Sequence, residues 1–179
     1  MRVSTGLSNT RLLPELVEDQ RYMTKILGID PGFGRLGFGC VTSERGKLCA
    51  IDHGIISTSA ELDFADRLLE LERDLDTVIR ELQPNLIAIE KLYFSKNVKT
   101  AMDVAESRGV VRLVAARRGI RAVEFTPTQI KKALSGDGKA DKKAVQFMVA
   151  QLLSLKSAPK VDDAADALAV AICASVFPS

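Results

Sequence analysis

The segment that leaves this chain least freedom is Asn85 to Glu90, where Leu86, Ile87, Ala88 and Ile89 run together and a glutamate closes them. An apolar run this short, with no polar alternation, reads as a strand covered on both faces. Its neighbours say what covers it. Lys25 to Asp30 is a short apolar strand stopped by Pro31–Gly32, Leu36 to Thr42 a second, and Lys47 to Thr58 a third, with a turn at Ser43 to Gly46. Turns this short join antiparallel neighbours. A helix follows from about Phe64 to Leu82, with Leu68, Leu71, Leu75, Val78, Ile79 and Leu82 on one face and Pro84 behind it. A second helix spans about Val98 to Arg118 and stops at Gly119; its Ala101, Ala105, Val110, Leu113 and Val114 suit close packing against a neighbour. Arg121 to Phe125 is a fifth strand, and Thr126–Pro127 starts a short helix to Leu134, proline being suited to the first helical position. A loop from Ser135 to Asp141 leads into a helix to about Leu155, and a last helix covers roughly Asp163 to Val176. Three strands on short turns, then helix, strand, helix, strand and helices, predict an α/β mixed sheet with helices on both faces.

The 179 residues suffice for one domain with a proper core, and no internal repeat divides them. No apolar stretch approaches the roughly 20 residues of a membrane span. Residues 1–22 carry scattered charges and no apolar signal region; they read as a disordered extension, or Met23 as the functional start, with the domain running over 23–179. Cys40 and Cys173 lie in apolar segments and, with Cys49, form no close pair, so a reducing cytoplasm is expected. Charge is unevenly spread. Residues 23–90 hold 7 basic and 12 acidic side chains, residues 91–160 hold 15 and 5, and residues 161–179 hold three aspartates and no base. A basic middle between acidic flanks fits one surface for phosphates and another for cations, although surface charge also clusters by chance.

Four acidic residues sit where chemistry can use them. Asp30 and Glu90 each end a strand, and either alone could simply face water. Asp163 and Asp166 lie three apart on a helix otherwise made of alanine and aliphatic residues, so they project from one face. Acids at a helix start complement its dipole, which accounts for Asp162 and Asp163 better than for Asp166. Were the four to converge, two carboxylates about 4 Å apart would repel by roughly 4 kcal/mol at an effective dielectric of 20. Hard divalent cations resolve that repulsion, and two such ions suit phosphodiester hydrolysis. The lone histidine, His53, reads as structural, and no Cys/His zinc pattern is present.

Gly28–Ile29–Asp30–Pro31–Gly32, then Ala88–Ile89–Glu90 with Lys96–Asn97, then Asp163–Ala164–Ala165–Asp166–Ala167–Leu168–Ala169 resemble the bacterial RuvC crossover junction endodeoxyribonucleases. The resemblance runs in order from Met23 to about Ala174 and leaves 1–22 outside. It implies a ribonuclease H-like five-stranded mixed sheet, a homodimer, and symmetric nicking of two strands of a four-way (Holliday) junction in recombination and repair. It further implies Mg2+, two ions per site with Mn2+ as a substitute, held by Asp30, Glu90, Asp163 and Asp166 as catalytic residues, and the RuvAB branch-migration complex as a partner. Asp162 adjoins Asp163 and comes near the face of Asp166; we take it as the N-cap or flank and Asp163 as the ligand. Asp163→Asn should then abolish cleavage and keep junction binding.

Tyr93 follows Glu90 closely, and the family places an aromatic there rather than at Phe94; such a ring can stack on an unpaired base. From the residues alone the alternative is that Phe94 is core and Tyr93 merely part-exposed. Lys96, Lys131, Lys139, Lys142 and Lys143 are the expected DNA contacts, Lys131 and Lys142 by resemblance and the others by clustering. Any one of them could equally be a solvated lysine. Other classes remain in view. An actin-like or sugar-kinase phosphotransferase shares the Asp30–Pro31–Gly32–Phe33–Gly34 type of turn but needs a second such turn and a longer chain. A junction-binding protein without catalysis, and a ribonuclease H-like nuclease acting on RNA in a hybrid, are the others.

Overall fold

The computed structural model describes residues 23–91, 98–157 and 159–177, with side chains of the second segment described from residue 101. Three antiparallel strands come first: β1 (Met23–Asp30), β2 (Arg35–Glu44) and β3 (Lys47–Ser57). The β2–β3 turn is only Arg45–Gly46, both at positive φ (47° and 82°), as a tight hairpin requires. β2 therefore runs beyond Thr42, its expected limit, because the ladder continues through polar residues as far as Glu44↔Lys47. Next come α1 (Phe64–Leu82), β4 (Leu86–Glu90), α2 (Val98–Arg117), β5 (Arg121–Phe125), α3 (Pro127–Ser135), α4 (Lys142–Leu152) and α5 (Asp162–Val176).

The sheet order is β3-β2-β1-β4-β5, with β4 parallel to both β1 and β5. Alternation along the strands divides two cores. Leu27, Ile29, Ile87 and Ile89 point to one face and meet Leu71, Leu75 and Ile79 of α1 and Val111 and Val114 of α2. Ile26 and Ala88 point to the other and meet Leu168 and Ile172 of α5, Ile130 of α3 and Val149 of α4. This is the ribonuclease H-like mixed sheet, covered on both faces, that the resemblance implies.

On α2 the expected packing residues divide. Ala101 and Val114 are buried and Val110 packs on the α1-side core, whereas Ala105 and Leu113 face water. Helix α5 begins one residue early: Val161 is its N-cap, and Asp162 is a first-turn residue rather than the cap. Cys40 and Cys173 are buried, as expected, and Cys49 is exposed.

Candidate active site

The acids are gathered by strand order and by the absence of side chains. β1 and β4 are parallel neighbours in the register Ile29↔Ile89, so Asp30 and Glu90 leave the sheet side by side. Asp30 shares a face with Ile26 and Gly28, and Glu90 with Ala88, which is the face under α5. The helix lies unusually close. A Cβ on Gly28 would stand 2.1 Å from the Ala167 carbonyl oxygen, one on Gly39 2.7 Å from the Leu168 backbone nitrogen, and one on Gly37 2.1 Å from the Asp163 carbonyl oxygen. Glycine at these three positions lets α5 rest on the strands and brings its first turns, with Asp163 and Asp166, over the ends of β1 and β4. From the other face, the buried Ser107 hydroxyl donates to the Gly32 carbonyl at 3.1 Å and ties the loop after Asp30 to α2.

The electrostatics record the convergence. Burial first, then the charges of Glu90, Asp166 and Asp163, push the Asp30 carboxyl up to about 7. Glu90 is also raised, by burial and then by Asp166, and a hydrogen bond with Asp30 partly offsets this. A hydrogen bond between two carboxyl groups needs a proton on one of them, and Asp30, pushed up to about 7, is the group favoured to carry it. Burial raises Asp166 too, against the pull of Lys142.

Cations answer part of this charge: Lys131 and Lys142 act on Glu90, and Lys142 and Arg35 form ion pairs with the α5 aspartates. Lys142 Nζ lies 3.1 Å from Asp166 Oδ2 and 3.2 Å from Asp162 Oδ2, and both acids hold its ammonium above the usual range although burial opposes it. Arg35 Nη2 lies 2.9 Å from Asp163 Oδ2. Among the described residues, no three acidic, histidine or cysteine side chains close round one point. With both α5 aspartates turned to cationic side chains, the four carboxylates meet at one edge rather than round a single point. Their chemistry nevertheless suits hard divalent cations: the donors are all oxygen, and the innermost, Asp30, has no ion pair among the described residues and gives up its proton only near 7.

Asp162 is separated from this group. Its side chain is 62% exposed, accepts from Gln146 Nε2 at 2.9 Å, and is held below the ordinary carboxylate range by Lys142 and Gln146. Asp30 responds to Asp163 and Asp166, which favours Asp163 over Asp162 as the inward acid.

Beside the acids lies a cavity of about 250 Å³ lined by Glu90, Asp166, Lys131 and Lys142 over an apolar floor that includes Ile130 and Val145. Lys131 and Lys142, two of the expected DNA contacts, are thus brought beside the acids. Lys139 and Lys143 are exposed nearby but do not line the cavity. Tyr93, Phe94 and Lys96 lie outside the described residues, as does the 1–22 segment. Sequence reading missed Arg35; the signal available was a lone arginine two residues before a glycine, on the strand following the Asp30 turn.

Comparison with known proteins agrees with this architecture. Residues 26–174 match the family described as crossover junction endodeoxyribonuclease RuvC. The protein of that name from Syntrophomonas wolfei is 47% identical over 149 residues, 83% of this chain and 87% of its own length. The one from Alkaliphilus metalliredigens is 50% identical over 148 residues, 83% of this chain and 90% of its own. Thermus thermophilus RuvC superposes with a TM-score of 0.79 at 30% identity, over 86% of this chain and 94% of that one. The same Thermus protein in complex with a Holliday junction substrate superposes equally well, at 28% identity. With the family match spanning most of the chain, this protein belongs to the RuvC family of crossover junction endodeoxyribonucleases.

Proposed function

We propose that this protein nicks two strands of a four-way DNA junction symmetrically, as a homodimer, with Asp30, Glu90, Asp163 and Asp166 as its metal-binding catalytic residues. The observation that carries the reading is the acidic edge itself: two strand ends under one closely seated helix, with the Asp30 carboxyl pushed up to about 7 by burial and its three acidic neighbours. Two divalent cations, magnesium or manganese, when bound supply the activation of water and the stabilisation of the leaving oxygen in phosphodiester hydrolysis. The side chains do the rest. Glu90 and Asp166 line the cavity in which the strand would lie, and Lys131 and Lys142 present ammonium groups to its phosphates there. Lys139 and Lys143 extend the basic surface, Tyr93 is assigned to the junction on the family pattern, and Lys96 on its place in the basic cluster. Ser107 steadies the loop beyond Asp30.

For the homodimer we propose the outer face of α2, where Met102 and Leu113 are 59% and 48% exposed and lie about three turns apart on one side, with Gly109 between. The nuclease domain is taken as 23–179 with 1–22 as an extension, the cytoplasm as its location, and the RuvAB complex as a partner; no helix among the described residues is long and apolar enough to cross a membrane.

The test is a substrate panel of four-way junction, linear duplex and RNA–DNA hybrid, with magnesium or with EDTA, for the wild type and Asp30→Asn. Paired nicks in the junction alone, dependent on magnesium and absent in Asp30→Asn, are expected. Cleavage of the hybrid in preference to the junction, or full activity in EDTA, refutes the proposal.

A further inference from the structure

Arg35 stands at the start of β2 on the rim of the acidic edge, and three features build it there. The Pro31–Gly34 turn folds back so tightly that a Cβ on Gly32 would stand 2.0 Å from the Arg35 carbonyl oxygen. Across the ladder Arg35 pairs with Ser57 of β3. Two residues on, Gly37 lies against the Asp163 backbone. Alternate residues of a strand share a face, so β2 offers Asp163 both a close backbone seat and, at 2.9 Å from its carboxylate, a guanidinium.

The two cations ion-paired to the α5 aspartates are held differently. Lys142 bridges Asp162 and Asp166 together. Among the described residues Arg35 forms its ion pair with Asp163, and the two side chains stay 54% and 32% exposed. An ion pair in that much water is weak and readily exchanged.

We propose that Arg35 couples cation loading to DNA binding: it neutralises Asp163 in the free protein, and once Asp163 is given over to a divalent cation the guanidinium turns to a backbone phosphate of the bound strand. The inference rests on the reading of Asp163 as a cation ligand. Arginine suits such an exchange because its planar fork matches carboxylate and phosphate oxygens alike. Linkage makes the coupling reciprocal: DNA that engages Arg35 raises the affinity of the acidic edge for the cation by the same factor by which the cation raises affinity for DNA.

Arg35→Gln in the full chain, shown by its urea midpoint to be as well folded as the wild type, separates the outcomes. Magnesium binding without DNA, followed by calorimetry, should tighten about threefold to fivefold when the competing charge is removed. Junction affinity measured in calcium should fall, with a salt slope reduced by about one, while junction affinity in EDTA stays at the wild-type value. Arg35→Lys, which keeps the charge, should bind magnesium as the wild type does. Unchanged or weaker magnesium binding by Arg35→Gln, or an equal loss of junction affinity in calcium and in EDTA, overturns the proposal alone. A wild type that binds no magnesium, or an Asp30→Asn variant that binds it equally well, overturns the metal-site reading and this inference with it.

Discussion

Toward α1 and α2 the sheet presents Leu27, Ile29, Leu36, Ile87 and Ile89, and the helices answer with leucine, isoleucine and valine. Toward α5 the same strands present Gly28, Gly37, Gly39 and Ala88, and the helix answers with alanines and Leu168. The first face buries bulk, and the hydrophobic stabilisation of large side chains holds it together. The second gives up bulk for proximity, and it is the second that carries the acids. On the first face the helix surfaces are joined by ion pairs, Arg117 to Glu72 and Arg118 to Asp76; on the second, the cations Lys142 and Arg35 are turned to the acids. The difference teaches that an active edge can be placed by what side chains leave out, while stability is supplied from the opposite side of the same strands.

The contrast breaks most sharply at Gly28 and Leu75. Gly28→Val puts a side chain into the Ala167 and Ala171 backbone and should destabilise by about 3 kcal/mol or more. Leu75→Ala, at a fully buried position under the other face, should lose a comparable amount, about 3 kcal/mol. Urea unfolding measures both. Nicking per folded molecule should vanish in Gly28→Val and survive in Leu75→Ala; retention of cleavage by the valine variant would show that the seating of α5 is not what positions the acids.

Next in size is the pH dependence of the metal-free protein. Burial and neighbouring acids raise Asp30 from 3.8 to about 7. A carboxyl raised on folding contributes stability that is complete below its unfolded pKa and is lost as pH climbs through its folded pKa. Asp30 therefore weakens the fold between about pH 4 and 7, by on the order of 2–4 kcal/mol. Asp30→Asn should be inactive yet, in EDTA at pH 8, more stable than the wild type by a similar amount. Equal denaturation midpoints across pH 5 to 8 would contradict the strain assigned to the acidic edge.

Smaller effects sharpen the comparison. Thr126 closes a reciprocal capping box with Gln129 at the start of α3, the helix that carries Lys131 to the cavity. Thr126→Ala should cost about 1 kcal/mol and weaken junction binding along with it. Smallest of all is Arg118→Ala on the α1–α2 side, where an exposed pair with Asp76 should yield a barely measurable loss that disappears in high salt. Cleavage should not change, and a clear fall in nicking there would join the two faces functionally.

Much of this could be read along the chain. The limits of α1 and β5 match their sequence readings because apolar spacing, Pro84 and Thr126–Pro127 mark them locally. Errors fell where tertiary or ladder contacts extend or end an element. Polar residues 43–44 stay paired in β2, and α4 stops at Leu152, followed by Ser154 at φ 52°. Asp162 misled because a carboxylate at a helix start normally caps it, whereas here Lys142 and Gln146 hold its side chain. Arg35 went unread because its partner is 128 positions away at Asp163.

By itself the sequence determined the elements, their alternating faces and the four acidic positions, since periodicity, turn residues and motif order are local properties of the chain. Only the tertiary structure decided how closely α5 sits on the strands, which of Asp162 and Asp163 faces Asp30, and which cations answer the acids. Those outcomes depend on distances between residues remote in sequence, and burial and Coulomb energies take their size from such distances.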